Sequence, residues 1–160
     1  MFEFLKRMMD QRTIIPINEG YAHWRTSRGY AADIGHGIAL AVTDERAAGE
    51  IFNICSETAL STLEWVQLMA KAVGWKGSIV LTGPDTTPDH LDVRMNTAQH
   101  LVSDSSKIRS MLGYSEPVSQ AQGILRTVEW ESKNHPPLSP EQLDRMFNYE
   151  AEDQIDVSRS

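Results

Sequence analysis

The segment "TSRGYAADIGHGIALAV", Thr26 to Val42, places an arginine, an aspartate, a histidine and three glycines before and within an apolar run. Arg28 stands beside Arg25 and Tyr30, just ahead of an expected helix. A guanidinium there can fork onto a phosphate or a carboxylate. It equally suits a surface ion pair with Asp33 or another acid. Arg94, in a long polar stretch, carries the same two readings. Gly35-His36-Gly37 suggests a phosphate loop, but a dinucleotide fingerprint needs Gly-x-Gly-x-x-Gly directly after a strand. Ile38, Ala39 and Leu40 follow, so the third glycine is absent, and no apolar strand precedes. These glycines read instead as sites of close packing. His36 titrates in a range suited to a general base, yet has no serine, cysteine or aspartate partner in a recognisable pattern. A first-turn polar residue or a satisfied buried histidine is the plainer reading. His23, His90, His100 and His135 show no ligand spacing, so no metal site is expected. Cys55 reads as a small buried hydrophobe at a strand end.

The elements that must position these residues follow from periodicity and caps. "MFEFLKRMMDQR" reads as an amphipathic helix and "TIIPI" as a strand, with Pro16 limiting it to an edge or an end. Gly20 and the polar, aromatic residues after it read as loop. Asp33 is the expected cap of a helix over Ile34–Val42, and "GEIFNIC" reads as a strand ending at Cys55. Ser61 and Glu64 form a capping box for the next helix, which Gly74 stops. "SIVLTGP" is a strand, and residues 84–101 a long loop. Asp104 caps and Gly113 stops a further helix. Ser119 with Gln122, and Ser139 with Pro140 and Gln142, open two more. The tail after Tyr149 reads as acidic and frayed. The order describes an α/β chain with few strands for a self-contained doubly wound sheet.

Composition narrows the partners. The chain has 160 residues, enough for one core without disulfide or metal support. Its net charge of −7 argues against a nucleic-acid partner. Residues 1–43 carry five basic and four acidic side chains, whereas the last 28 carry three basic and six acidic. An anionic small molecule therefore finds its counter-charges early in the chain. A single cysteine permits no intrachain disulfide and fits a reducing compartment. The longest aliphatic run, Ile38–Val42, is too short to span a membrane, and "MFEFLKRMM" is too short and charged for a signal peptide. A cytoplasmic protein is the expectation.

Taken in order, "RGYAADIGHGIALAV", "AAGEIFNIC", "STLEWVQLMAKAVG", "LVSDSSKIRSMLGY" and "AQGILRTVEWE" resemble the C-terminal half of NAD-dependent epimerase/dehydratase enzymes, the extended short-chain dehydrogenases. The resemblance rests on Arg28-Gly29-Tyr30 with Asp33, on Gly49-Glu50-Ile51-Phe52-Asn53, and on Asp104-Ser105-Ser106-Lys107 with Leu112-Gly113-Tyr114. Cys55 departs from it where the family has glycine, and Ala31-Ala32 where it has an apolar β-branched residue. The resemblance covers residues 1–132 and implies a substrate-binding domain there, with 133–160 as a helical extension and acidic tail. It implies a partial α/β fold without the N-terminal Rossmann units. It gives Arg28 a contact to the diphosphate of a nucleotide sugar, and Arg94 a contact to the same nucleotide. The family's glycine-rich loop and Tyr-x-x-x-Lys pair have no counterpart: four residues after Tyr21, Tyr30, Tyr114 and Tyr149 stand Arg25, Ile34, Val118 and Asp153. The chain alone is thus expected to bind no cofactor and transfer no hydride. NAD or NADP is implied only for the full-length family. An independent binding module for an anionic metabolite and a structural domain that forms homodimers are the alternatives.

Overall fold

The computed structural model describes residues 2–135 and 137–155. The elements run α1 (Phe2–Met9), β1 (Ile14–Asn18), α2 (Glu19–His23), α3 (Ala31–Thr43), α4 (Thr62–Val73), β2 (Ser78–Thr82), α5 (Ser106–Leu112), α6 (Gln120–Asn134), α7 (Pro140–Met146) and α8 (Tyr149–Glu152), with 3₁₀ turns at Glu45–Ala47 and Asp89–Leu91. β1 and β2 pair in parallel, Ile14 opposite Ser78 through Asn18 opposite Thr82. α4 lies between them in sequence, as a parallel pair requires. Both strands are edges, which is why Pro16 is tolerated in the middle of β1.

The main core is built from one face of each neighbouring element. Leu5 and Met8 of α1, Ile15 and Ile17 of β1, Val66 and Met69 of α4, and Ile124 and Val128 of α6 form one buried cluster. A second cluster gathers Ile108, Leu112 and Tyr114 with Leu40, Phe52 and Ile54 around it. Gly37 sits where α3 meets this cluster. A Cβ there would lie 2.7 Å from Ile54 Cγ2 and 3.2 Å from the Tyr114 ring. Gly35 has open space around it, so the close-packing reading fits the second glycine and not the first.

The serine caps stand where the sequence puts them. Ser61 and Glu64 form a reciprocal box, and Gly74 closes α4 in the left-handed region at φ 68°. Ser139, Pro140 and Gln142 open α7 in the same way. At α6, Ser119 accepts from the Gln122 N–H. At α5, Asp104 accepts from the Ser106 N–H, although the capping position itself is Ser105.

Four expectations change. Residues 19–23 are a helix: the Asn18 side chain accepts from the Tyr21 N–H, and Ala22 is buried in the main cluster. α3 begins at Ala31, so Asp33 is no cap. It lies in the first turn, 2% exposed, and accepts from the Val118 N–H at 3.0 Å. "GEIFNIC" is not a strand. Phe52 and Ile54 turn inward and Ile51 outward, as a strand would place them, but the segment has no ladder partner among the described residues. Finally, the residues after Tyr149 do not fray as far as they are described. α8 docks on α1, and Glu152 is fully buried. Residues 156–160 of the acidic tail lie outside the described residues.

Candidate functional site

Arg28 leaves the loop between α2 and α3 held by its own backbone: its carbonyl accepts from the Ser56 N–H at 2.7 Å. The guanidinium stacks over the Trp65 ring, 5.0 Å from the centroid. The capping box fixes where α4 starts, and so aims Trp65, its fourth residue, at this spot. Among the described residues no carboxylate lies within ion-pair distance of Arg28. The ion pair with Asp33 that the sequence left open is therefore not formed. Burial pushes the Arg28 pKa down from its ordinary value, opposed by nearby Tyr21 and Glu3. The group is still a cation at neutral pH, but one whose lost hydration no side-chain carboxylate replaces. Such a charge gains from an anionic ligand.

A cleft of about 380 Å³ opens beside it, between the Arg28 loop, the N-terminal end of α6 and residues 56–58. Tyr30, Trp65, Gly123 and Ile124 give it an apolar wall; Ser119, Gln120 and Thr127 bring polar groups. Gly123 lets α6 approach Tyr30, since a Cβ there would lie 3.1 Å from Tyr30 Cβ. The Trp65 indole N–H is buried and has no hydrogen-bond partner among the described residues. Three acids share the wall with Arg28: Asp33, Glu57 and Glu116. Asp33 is taken by the Val118 N–H. Glu116 is gripped by both terminal nitrogens of Arg109 and also accepts from the Glu57 N–H at 3.0 Å. The Arg109 hydrogen bonds hold its carboxyl below the ordinary value. Two of the three carboxylates are thus committed to the fold.

The remaining candidates lie elsewhere. Arg94 is exposed, just beyond the 3₁₀ turn at Asp89–Leu91, and does not line the Arg28 cleft. His36 is half-buried on α3 with its ring 6.2 Å from Tyr114. Cys55 is buried, its thiol 3.5 Å from the Ser103 carbonyl. Among the described residues no group of three His, Cys, Asp or Glu is arranged to hold a metal ion. No described helix is long and apolar enough to cross a membrane. The residues around the Gly35-His36-Gly37 run do not fit a nicotinamide dinucleotide. The run lies inside α3 instead of opening it, and Gly37 is packed against Ile54 and Tyr114. The sequence reading missed Trp65 as the platform for Arg28 and the Arg109–Glu116 pair. The signal for Trp65 was its place one turn after the Ser61 cap.

No family model matches the chain. A dTDP-glucose 4,6-dehydratase of Streptomyces niveus is 33% identical over 131 residues, covering 82% of this chain and 36% of that protein. An uncharacterized protein of Sinorhizobium fredii, y4nL, is 30% identical over 132 residues, covering 69% of this chain and 37% of that protein. A UDP-glucuronic acid 4-epimerase from Bacillus cereus, solved with NAD, superposes with a TM-score of 0.59 at 20% identity over 82% of this chain and 38% of that one. The chain spans little more than a third of the length of the curated relatives it matches. It corresponds to a partial, C-terminal region of the extended short-chain dehydrogenase fold, as the NAD-dependent epimerase/dehydratase resemblance implied.

Proposed function

We propose that this partial NAD-dependent epimerase/dehydratase chain supplies the substrate-holding part of a nucleotide-sugar enzyme, with Arg28 on the diphosphate. The observation that carries the reading is the Arg28 guanidinium itself. It is half-buried on Trp65, has no carboxylate partner among the described residues and lines an open cleft. The dehydratase and epimerase named among the relatives act on nucleotide sugars, whose diphosphate matches the charge and fork of a guanidinium. In this reading the chain's own residues bind and orient. Arg28 holds the anionic end, Trp65 fixes the guanidinium plane, and the polar groups at the start of α6 face the rest of the ligand. The cofactor chemistry of the family is hydride exchange with a sugar hydroxyl. The residues described here supply no dinucleotide loop for it, so no step of that exchange is assigned to them.

Calorimetric titration with UDP- and dTDP-sugars tests the reading. Binding is expected, and Arg28→Ala should weaken it by about 10- to 100-fold, the worth of a charge-assisted hydrogen bond. Unchanged affinity in Arg28→Ala would overturn the assignment. A second reading rests on a different observation: Ile38 and Val42, one turn apart on α3, and Ile51 are exposed apolar residues. A face of this kind favours association. Absence of any nucleotide-sugar binding, with a dimer by light scattering that Val42→Lys dissociates, would favour this structural role.

A further inference from the structure

The α7–α8 segment is tied to the body of the protein by a buried ion pair, with Leu143 and Met146 only half-buried beside it. None of its residues joins either apolar cluster, and Glu152 is its one fully buried side chain among the described residues. That carboxylate accepts from Arg7 Nε at 3.1 and 3.2 Å and from Arg7 Nη2 at 2.6 Å. His90 Nε2, from the 3₁₀ turn after β2, lies 2.9 Å from Glu152 Oε1, the oxygen that also accepts from Arg7 Nη2. Arg7 completes its donors with the carbonyls of Glu3 and Met146. Around this centre lie further polar and cation–π contacts. Arg12 pairs with Asp153, Tyr149 donates to Asp10, and Arg7 and Arg12 stack over Phe147 and Tyr149.

A buried ion pair gains little over apolar packing, because both charges must first leave water. Lifting α8 returns both charges to water, and that rehydration offsets part of the lost pair. Beneath the segment runs a second cleft, of about 430 Å³, between α1, β1 and the Asp89–Leu91 turn. Arg7 and His90 stand in its wall, and Arg145 and Met146 of α7 form part of its cover. Phe4, Pro16 and Tyr21 give it apolar surface, and Asn18 an amide.

The geometry points to an oxyanion site built by Arg7 and His90, filled in this conformation by the chain's own Glu152 and offered to a carboxylate- or phosphate-bearing small molecule when the α7–α8 segment lifts. A guanidinium fork with an imidazole N–H alongside is the donor set that a carboxylate or phosphate takes. The occupant and the ligand compete for the same donors, so ligand binding and undocking of α8 are one equilibrium. This site is separate from Arg28, and its success or failure does not depend on the nucleotide-sugar reading.

The test is rescue of a vacated site in the full chain. Glu152→Ala leaves Arg7 buried without its counter-charge and should lower the melting temperature. Inorganic phosphate, and separately acetate, should restore it relative to sodium chloride at equal ionic strength. The variant should bind at least one of these anions about tenfold more tightly than the parent, as expected for charge-assisted bonds no longer contested by Glu152. The gain should persist in Arg28→Ala/Glu152→Ala. Equal melting temperatures in all three salts would overturn the proposal, as would loss of the gain in the double variant, which would place the anion at Arg28. If Glu152→Ala does not fold, the parent chain decides. Phosphate or acetate should accelerate proteolytic cleavage between α6 and α8 beyond the rate in matched sodium chloride, and equal rates in all three would overturn the proposal.

Discussion

Arg28 shows how a side chain becomes a site through what it lacks. Arg109, within α5, grips Glu116, and Arg25, just after α2, pairs with Glu64. Arg28 has an aromatic platform and no carboxylate partner among the described residues. Stacking tolerates any flat cation, whereas a fork to phosphate needs the planar guanidinium. Arg28→Lys therefore separates charge from geometry. It should keep some attraction for a nucleotide sugar and lose the bidentate contact and the stacking. An affinity about tenfold below the parent, yet above Arg28→Ala, is expected from calorimetry. Equal affinity of the Lys variant and the parent would mean that only charge matters there. The sequence pointed to Arg28 by type and position. It did not reveal that the acids nearby, Asp33 above all, are engaged by backbone N–H groups such as that of Val118, 85 residues away. Spacing along the chain carries no record of such a contact.

At the scale of the element, signals carried by a few adjacent residues were legible and signals that need a distant partner were not. Ser61 with Glu64, Gly74, and Ser139 with Pro140 each act through bonds to neighbours within a turn, and each stands in the structure as read. "GEIFNIC" keeps the alternation of a strand, but a strand exists only with a ladder, and its partner cannot be read from the segment itself. The helix at Glu19–His23 was hidden by Gly20, a poor helix former packed so closely that a Cβ would fall 2.5 Å from Thr97 Oγ1 and require that side chain to shift. The caps themselves differ in a testable way. Ser61 is buried, accepts from the Glu64 N–H and has its own N–H bound by Glu64, which Arg25 also engages. Ser119 makes only the forward bond, to the Gln122 N–H at 3.4 Å. Urea unfolding should show Ser61→Ala costing about 1–2 kcal/mol, and Ser119→Ala less, toward the low end of the N-cap range at about 0.5 kcal/mol. Equal losses would mean that the reciprocal Glu64 contact adds nothing.

Across the whole molecule, the least legible feature is how charge closes the structure. An acidic segment near the end of the sequence reads as solvated, yet Glu152 crosses 145 positions to reach Arg7. Elsewhere, fixed partners hold carboxyls ionised. The Arg109 hydrogen bonds lower the Glu116 pKa, and the Ser61 backbone N–H, with Arg25, lowers that of Glu64. Both groups have an ordinary value of 4.5. A carboxyl held lower in the folded state binds fewer protons than in the unfolded chain. It therefore contributes stability that is complete above its ordinary value and lost as pH falls through the folded one. Stability should be flat with respect to these groups near neutrality and fall as pH drops through and below the ordinary value of 4.5, as urea midpoints would show. Glu116→Gln keeps the shape of the side chain and removes its titration. It should lower stability at neutral pH, where Arg109 loses its counter-charge, and reduce the acid slope, so that the two curves converge at low pH. Parallel curves for the variant and the parent would show that the Arg109–Glu116 contact does not couple protonation to folding.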